Sequence, residues 1–317
     1  MVGLFRSLNT TDLALRAQTV AIQTVSHNIA NANTEGFHRQ RVEFSTTLPQ
    51  DLGQIQLGSG VRVARVQRIV DLALEASVRT AVSNQASLDE QAKILQEMEA
   101  IFNEFGAGDL SSSLQSFQNA LDELVTNPES IAIRQDFLGE AQALAERISF
   151  IANNLNATRN DLNRSVETIV DDLNEKIEQI ANLNRDIVVA ENGGLNRDSA
   201  NDLRDQRDKL IEDVAEYLDI RVRENSVGAA TVTVGGQLLV FGGRFFQLTT
   251  ETRADREVQV TDIFVDGADL DTDGGQLEGL LLARDQILVE FVDRLDSFAK
   301  DLAFEFNKVH TEGRGLE

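Results

Sequence analysis

The 317-residue chain contains no cysteine and no tryptophan, and only two prolines, one tyrosine and three histidines. Without cysteine there is no thiolate nucleophile, no Cys-ligated zinc, no iron–sulfur cluster and no disulfide. Three histidines (His27, His38 and His310) are too few for a multi-histidine metal centre. We therefore expect no cofactor and no metal, and a structural role rather than an enzymatic one.

Long apolar runs are also missing. No stretch approaches the roughly 18 uninterrupted apolar residues of a membrane helix, and the first twenty residues lack the apolar core of a cleaved signal peptide. Basic residues are few beside acidic ones, 29 against 52, which gives a net charge of −23. A chain this acidic repels phosphate backbones. We expect neither a membrane nor a nucleic acid as partner.

Helical periodicity fills most of the chain, which is 42% hydrophobic. The longest pattern, residues 131–191, would extend roughly 90 Å as an unbroken helix, because each residue adds 1.5 Å. Such a helix is typical of an elongated molecule. The predicted helices cover, approximately, residues 7–31, 71–103, 109–126, 131–191, 200–217 and 275–310.

Residues 219–266 have a different pattern, with short valine-rich alternating runs separated by Gly-Gly turns, which predicts antiparallel strands. The predicted fold is mainly α and elongated: a long helical-bundle rod with a small inserted antiparallel β subdomain and an N-terminal helix. Residues 1–66 are predicted to form an N-terminal helix with an extended linker, and residues 67–218 a long-helix bundle. Residues 219–274 are predicted to form the β subdomain, and residues 275–317 a helix that returns to the bundle.

The N-terminal helix carries apolar residues at a seven-residue spacing, and no charged residue occurs between Ala17 and Thr34. Charged residues avoid buried positions. One interpretation is an ordinary core helix; the other is a helix buried among neighbours from other subunits. We predict the second, with an assembly interface formed by Leu8, Leu15, Ile22, Val25 and Ile29.

Three further patterns of acidic residues, alternating charges and histidines could be read as functional sites, but each has a simpler structural interpretation. The run Asp269-x-Asp271-x-Asp273-Gly274 is the front half of a calcium loop, but Leu280 stands where a bidentate Glu is needed, so we expect a surface turn. The alternating charges from Asp202 to Lys209 indicate a solvated ion-pair face of a helix. His27 and His38 are eleven residues apart with no obvious acidic partner, so both are predicted to be satisfied polar or packing residues.

The run from Ser26 to Gln40 reads SHNIANANTEGFHRQ. It resembles the N-terminal signature of bacterial flagellar axial proteins, a helix followed by the turn S-x-N-I-A-N-x-N-T-x-G-[YF]. The resemblance implies a helix that packs in the inner tube of the flagellum. The residues that match the signature turn are Asn28, Asn31, Asn33, Thr34, Gly36 and Phe37.

Other segments resemble the hook-associated protein 1 family within that class. They are Arg39-Gln40 and the segments 109–117, 127–129, 202–210, 235–240 and 279–285. In that family, the chain continues beyond the equivalent of residues 306–310 to a C-terminal helix that pairs with the N-terminal one.

The resemblance implies a structural adaptor at the hook–filament junction that is needed for filament assembly. Implied partners are hook and hook-associated subunits, other copies in a ring, and an export chaperone. The implied location is the extracellular flagellum, reached by type III export without a cleaved signal peptide. Two alternatives remain: another axial protein such as a rod or hook subunit, and an acidic coiled-coil binding module.

Overall fold

The structure, a computed structural model, describes residues 2–51, 56–102, 109–193, 198–256 and 258–312. In these residues the chain is mainly α. The helices are α1 (Val2–Ala30), α2 (Leu72–Phe102), α3 (Leu110–Thr126), α4 (Ile131–Ala190), α5 (Asn201–Tyr217), α6 (Gly275–Leu282) and α7 (Leu288–Glu312). The strands are β1 (Gln40–Thr46), β2 (Gln50–Asp51), β3 (Gln56–Leu57), β4 (Val61–Arg68), β5 (Ile220–Glu224), β6 (Ala230–Val234), β7 (Gln237–Phe241), β8 (Arg244–Phe245), β9 (Leu248–Asp255), β10 (Val258–Val265) and β11 (Ala268–Asp269).

The helices predicted from periodicity are confirmed to within a few residues, except that α1 begins five residues earlier than predicted. Asp109 caps the start of α3: its side chain accepts a hydrogen bond from the backbone N–H of Ser112, which satisfies a donor of the first turn. Gly106, Gly108 and Gly194, where glycine follows a helical pattern in the sequence, lie outside the described residues.

Helix α4 is a single helix of 60 residues with no proline to interrupt it. Its apolar stripe is buried along most of its length, and burial of each such side chain contributes roughly 1.5–3 kcal/mol. Among the stripe residues, those that are fully buried are Ile151, Leu155, Val166, Leu173, Ile177, Ile180 and Ile187.

The chain divides into two compact units. Unit 1 consists of residues 1–83, 171–249 and 264–273, and its core includes Val214, Leu218, Val232 and Leu239. Unit 2 consists of residues 84–170, 250–263 and 274–317. Its buried residues include Ile94, Ile151, Val260, Leu277 and Leu288.

The predicted strands between residues 219 and 266 are present, and they form two antiparallel sheets. One sheet has the antiparallel order β5-β6-β7-β8, and the other has the order β11-β10-β9. Strand β9 (LTTETRAD) was not predicted, because most of its side chains are polar and exposed and no apolar alternation marks it. The turn at Gly235 has φ +52° and lies so close to the carbonyl of Asp271 that only glycine fits.

The last predicted helix is interrupted by a π-helical turn at Ala283–Ile287, between α6 and α7. Within this turn the buried guanidinium of Arg284 donates to Asn163 Oδ1 at 2.9 Å and to the carbonyl of Thr261 at 2.8 Å. The same guanidinium pairs through Nη2 with Asp285 Oδ2 at 2.7 Å. The prediction of an uninterrupted helix was wrong because the extra residue of a π turn leaves no mark on the apolar periodicity of the sequence.

Candidate assembly interface

Helix α1 packs on the antiparallel hairpin of β1 and β4 through its small residues. Ala17 and Thr24, on that side of the helix, are buried. The approach is close: a Cβ at Gly60, which has φ +108°, would lie 3.3 Å from Cγ2 of Thr10. The hairpin therefore covers only one side of α1.

The opposite side of α1 carries an uncovered row of large apolar side chains, which we call the α1 stripe. At 100° per residue these positions lie away from Ala17 and Thr24. Their exposed fractions range from 55% to 72%. The stripe comprises Phe5, Leu8, Leu15, Ile22, Val25 and Ile29. The chain by itself leaves this surface in water, although soluble monomers rarely expose continuous apolar patches.

The signature turn is held by its own polar side chains. Asn28 donates from Nδ2 to the carbonyl of Gln40 and accepts from the Gln40 backbone N–H, both at 2.8 Å. Asn31 donates to the carbonyl of His27 at 3.1 Å. The backbone N–H of Thr34 donates to the carbonyl of Asn31 at 3.0 Å. The turn thus fixes the direction in which the chain leaves α1.

The end of the turn packs on helix α5. Gly36 has φ +73°, and a Cβ there would lie 3.2 Å from Cβ of Lys209. Both the conformation and the close approach favour glycine. Phe37 packs edge-on against His27, with ring centroids 5.3 Å apart. Asn33, the remaining residue of the predicted signature, is exposed.

A group of charged residues, which we call the His38 clasp, joins the segment after the turn to α2 and α5. His38 lies between two carboxylates: Nδ1 is 2.9 Å from Asp205 Oδ1, and Nε2 is 3.2 Å from Glu75 Oε1. Arg68 donates to Asp205 at 2.6 Å and to Asp208 at 2.9 Å.

The clasp is charged at neutral pH. The hydrogen bond with Asp205 and, against the effect of burial, the one with Glu75 raise the pKa of His38 to about 9. Beside it, Lys209 pairs with Glu35 of the signature turn, and this hydrogen bond raises the pKa of Lys209. The N-terminal segment is thus anchored to α5 by three cations: His38 and Arg68 of the segment itself, and Lys209 of α5.

The two arginines of α5 are buried, so the prediction of a solvated ion-pair face is wrong for them. Arg204 pairs with Glu191 at 2.8 Å and with Glu224 at 2.6 Å. Arg207 donates to Glu224 and to the carbonyl of Gly228, each at 2.8 Å. Although burial alone would raise it, these arginines hold the pKa of Glu224 below its usual value.

The sequence analysis missed these partners because they are distant along the chain. Asp205 follows His38 by 167 residues, and Glu75 follows it by 37. His38 is a satisfied polar residue, as predicted. Of the charged residues in the α5 pattern, Asp202 does face solvent: its carboxylate is 3.3 Å from His27 Nε2 and accepts from Gln40 Nε2 at 3.1 Å.

The described ranges contain no group of three or more His, Asp or Glu side chains arranged to hold a metal ion. In the same ranges no helix is both long enough and apolar enough to cross a bilayer. Leu280, which stands where a calcium loop would need Glu, is buried. Arg204, Asp205, Arg207, Asp208 and Lys209 of α5 pair with oppositely charged side chains, while the α1 stripe is exposed.

An exposed apolar N-terminal helix, joined to a helical body by a polar turn, defines a protein of the flagellar axial class. The family model described as flagella basal body rod protein matches residues 8–38, which are α1 and the signature turn. The model described as flagellar hook-associated protein FlgK helical domain matches residues 95–317. The chain belongs to the flagellar hook-associated protein 1 (FlgK) family.

Individual relatives agree with this assignment. The chain is 31% identical to flagellar hook-associated protein 1 of Bacillus subtilis over 99% of its own length and 68% of that protein's. It is also 31% identical to the Salmonella typhimurium protein of the same name, but spans only 55% of it. The flagellar hook junction protein FlgK from Burkholderia pseudomallei has a similar fold, with a TM-score of 0.58 at 23% identity, over 67% of this chain and 39% of that one.

Proposed function

We propose that this chain is a structural adaptor at the hook–filament junction of the bacterial flagellum, needed for filament assembly. The observation that carries the proposal is the α1 stripe, a row of large apolar side chains that stay exposed. Together, the family and this surface favour a subunit in which the α1 stripe is covered only when other subunits pack against it.

The energetics support an assembly role for the stripe. Each large apolar side chain that stays in water forgoes roughly 1.5–3 kcal/mol of burial free energy. The bidentate Asn28–Gln40 contact and the His38 clasp hold the chain after α1 against α5. Every subunit would then present its stripe in the same orientation, which a regular lattice requires.

The proposal includes partners and a location. The stripe residues Leu8, Leu15, Ile22, Val25 and Ile29 would contact hook and hook-associated subunits and other copies in a ring. Residues 1–66 would form the inner-tube segment, followed by the bundle, β and returning-helix parts at 67–218, 219–274 and 275–317. The protein would bind an export chaperone, leave the cell without a cleaved signal peptide and reside on the extracellular flagellum.

The test replaces Ile22, at the centre of the stripe, with Asp. Because Ile22 is 66% exposed, we expect Ile22→Asp to leave the melting of the soluble protein nearly unchanged. It should abolish incorporation at the hook tip, measured by immunogold labelling and by swimming. Gln23→Asp is the control, since it adds the same charge at an exposed position without removing apolar surface. If Ile22→Asp unfolds the soluble protein, the stripe belongs to a core and the proposal is wrong.

A second candidate, a rod or hook subunit, has one observation in its favour. Part of the chain is similar to the flagellar basal-body rod protein FlgG of Caulobacter vibrioides, with 33% identity over 81 residues and 21% of this chain. Labelling along the rod or the whole hook, and not at one junction, would favour this candidate.

A further inference from the structure

Charge is distributed very unevenly along the chain. Residues 1–70 hold seven arginines and four carboxylates, a net charge of +3, while the remaining residues carry −26. The N-terminal segment that is proposed to assemble is thus basic, within a strongly acidic sequence. Opposite charges on separate surfaces of one chain can bring copies together.

The basic charge is displayed on one face of the β1–β4 hairpin. Side chains alternate between the faces of a strand, and cross-strand neighbours share a face. Gln40 and Arg68 are direct partners in the register and contact α5 through their side chains. The other face carries Arg41 on β1, with Arg65 opposite Glu43 and Arg62 opposite Ser45 on β4. Arg62 and Arg65 share this face because the irregularity between Glu43 and Phe44 shifts the alternation along β4. We call it the basic hairpin face.

These arginines are only partly neutralised within the chain. Arg65 pairs with Glu43 at 2.8 Å and Asp198 at 3.5 Å, and Arg41 lies 3.5 Å from the same Glu43. Arg62 is exposed and donates to the hydroxyl of Ser45. Over the described residues, Arg62 has no carboxylate partner.

An acidic cleft of about 730 Å³ lies between the signature turn and helices α4 and α5. Its lining includes the apolar residues Phe37 and Leu183 and the carboxylates of Glu35, Asp186, Asp202 and Asp205, against the cation Lys209. Glu35 and Asp205 are held by cations of the same chain. Asp186 is exposed and, in the part of the chain that the structure describes, has no ion-pair partner.

We propose that the basic hairpin face of one copy docks into the acidic cleft of the next copy, with Arg62 directed toward Asp186. This inference rests on the proposed function, because it describes how copies in the ring contact each other. The occupant is a second copy, since its arginines complement the excess carboxylates of the cleft. None of the three arginines lines the cleft, so the contact joins two different surfaces, and such head-to-tail contacts generate rings where the rotation between copies closes.

The first test cross-links introduced cysteines, for which the cysteine-free chain is well suited. An Arg–Asp ion pair holds its two Cα atoms farther apart than a disulfide can bridge, so the reagent is a bismaleimide cross-linker. The full-length protein carrying both Arg62→Cys and Asp186→Cys, expressed in the source bacterium, should form a ladder of multimers when isolated hook–filament junctions are treated with this reagent. Each single-cysteine variant should give no ladder, because one cysteine cannot join more than two copies. A cross-link to a hook subunit in place of the ladder would overturn the proposal.

The second test is charge reversal with rescue. Arg62→Glu and Asp186→Arg should each reduce junction incorporation about tenfold or more, the size expected when a close interfacial charge pair is lost. The double variant should recover to within about twofold of wild type, since the pair is restored in reverse. Asp172→Lys is the control: it adds positive charge to the same helix, about 21 Å from Asp186, and should have no effect.

The two proposals fail in different ways. If wild-type protein is absent from the junction by immunogold labelling, the proposed function is wrong and this contact falls with it. If it is present there but the cysteine pair gives no ladder, or the double variant is not rescued while its soluble melting is normal, only the contact between hairpin and cleft is wrong.

Discussion

His38 shows how single residues hold the N-terminal segment in place. Its two carboxylate partners come from two other helices, and Arg68 supplies a second cation to Asp205. None of these pairs could be predicted from the sequence, because helical periodicity reports the face of a residue and not its partner. The signature turn was found from the sequence because its contacts are nearly all local.

The clasp should make stability depend on pH. The pKa of His38 is raised from 6.5 to about 9 in the folded protein, so its contribution is complete below about pH 6.5 and is lost as the pH rises through 9. Between those values we expect a loss on the order of 1–2 kcal/mol after allowance for solvent screening. Chemical denaturation at a series of pH values measures it.

Substitution of two different histidines, His38 and His27, provides the test and its control. His38→Gln should be less stable at pH 6.5 and should lose most of the dependence between pH 6.5 and 9. His27→Gln should retain that dependence. If the free energy of unfolding changes equally with pH in wild type and His38→Gln, the clasp does not titrate in this range.

Arg207 should be far more sensitive than exposed arginines. Arg207→Met removes the guanidinium that serves Glu224, Asn184 and the carbonyl of Gly228, and breaking a buried pair in this way costs about 3–5 kcal/mol. Arg221→Met, at an exposed position of β5, should change stability by less than about 0.5 kcal/mol. Similar denaturation midpoints for the two variants would contradict a buried network.

At the scale of elements, the sequence predicted what is periodic and missed what is not. Helices α2 to α5 were found because apolar residues recur at helical spacing over many turns. Strand β9 has no such signal, and the π-helical turn adds one residue without breaking the pattern. The burial of Arg204 and Arg207 was missed because their partners, Glu191 and Glu224, lie on other elements.

Two helical glycines should respond oppositely to alanine. A Cβ at Gly279 of α6 would lie 2.6 Å from the carbonyl oxygen of Ser87 in α2, so Gly279→Ala should destabilise unit 2 by about 1–3 kcal/mol through overpacking. Gly139 of α4 has open space around its Cβ direction. Gly139→Ala should therefore stabilise the protein by about 0.5–1 kcal/mol. Thermal melting of the two variants would show shifts of opposite sign; stabilisation by Gly279→Ala would refute the close approach.

For the whole molecule, the net charge of −23 sets the response to salt. Screening weakens exposed ion pairs, but it also weakens the repulsion among 52 acidic residues, and the excess of one sign makes repulsion the larger effect. We expect the melting temperature to rise as NaCl increases from about 0.01 M to 0.15 M, where the Debye length shortens from about 30 to 8 Å. Sucrose of equal osmolarity is the control. A falling melting temperature would mean that surface ion pairs dominate.

The separation of 167 residues between His38 and Asp205 also determines when the clasp can form during protein synthesis. A ribosome adds roughly 5–20 residues per second, so Asp205 emerges on the order of 10–30 s after His38. Until then the turn has no α5 to close on, and the apolar N-terminal helix is available to whatever binds it first. Closure of the clasp is thus a late event that can take place only after about two thirds of the chain has appeared.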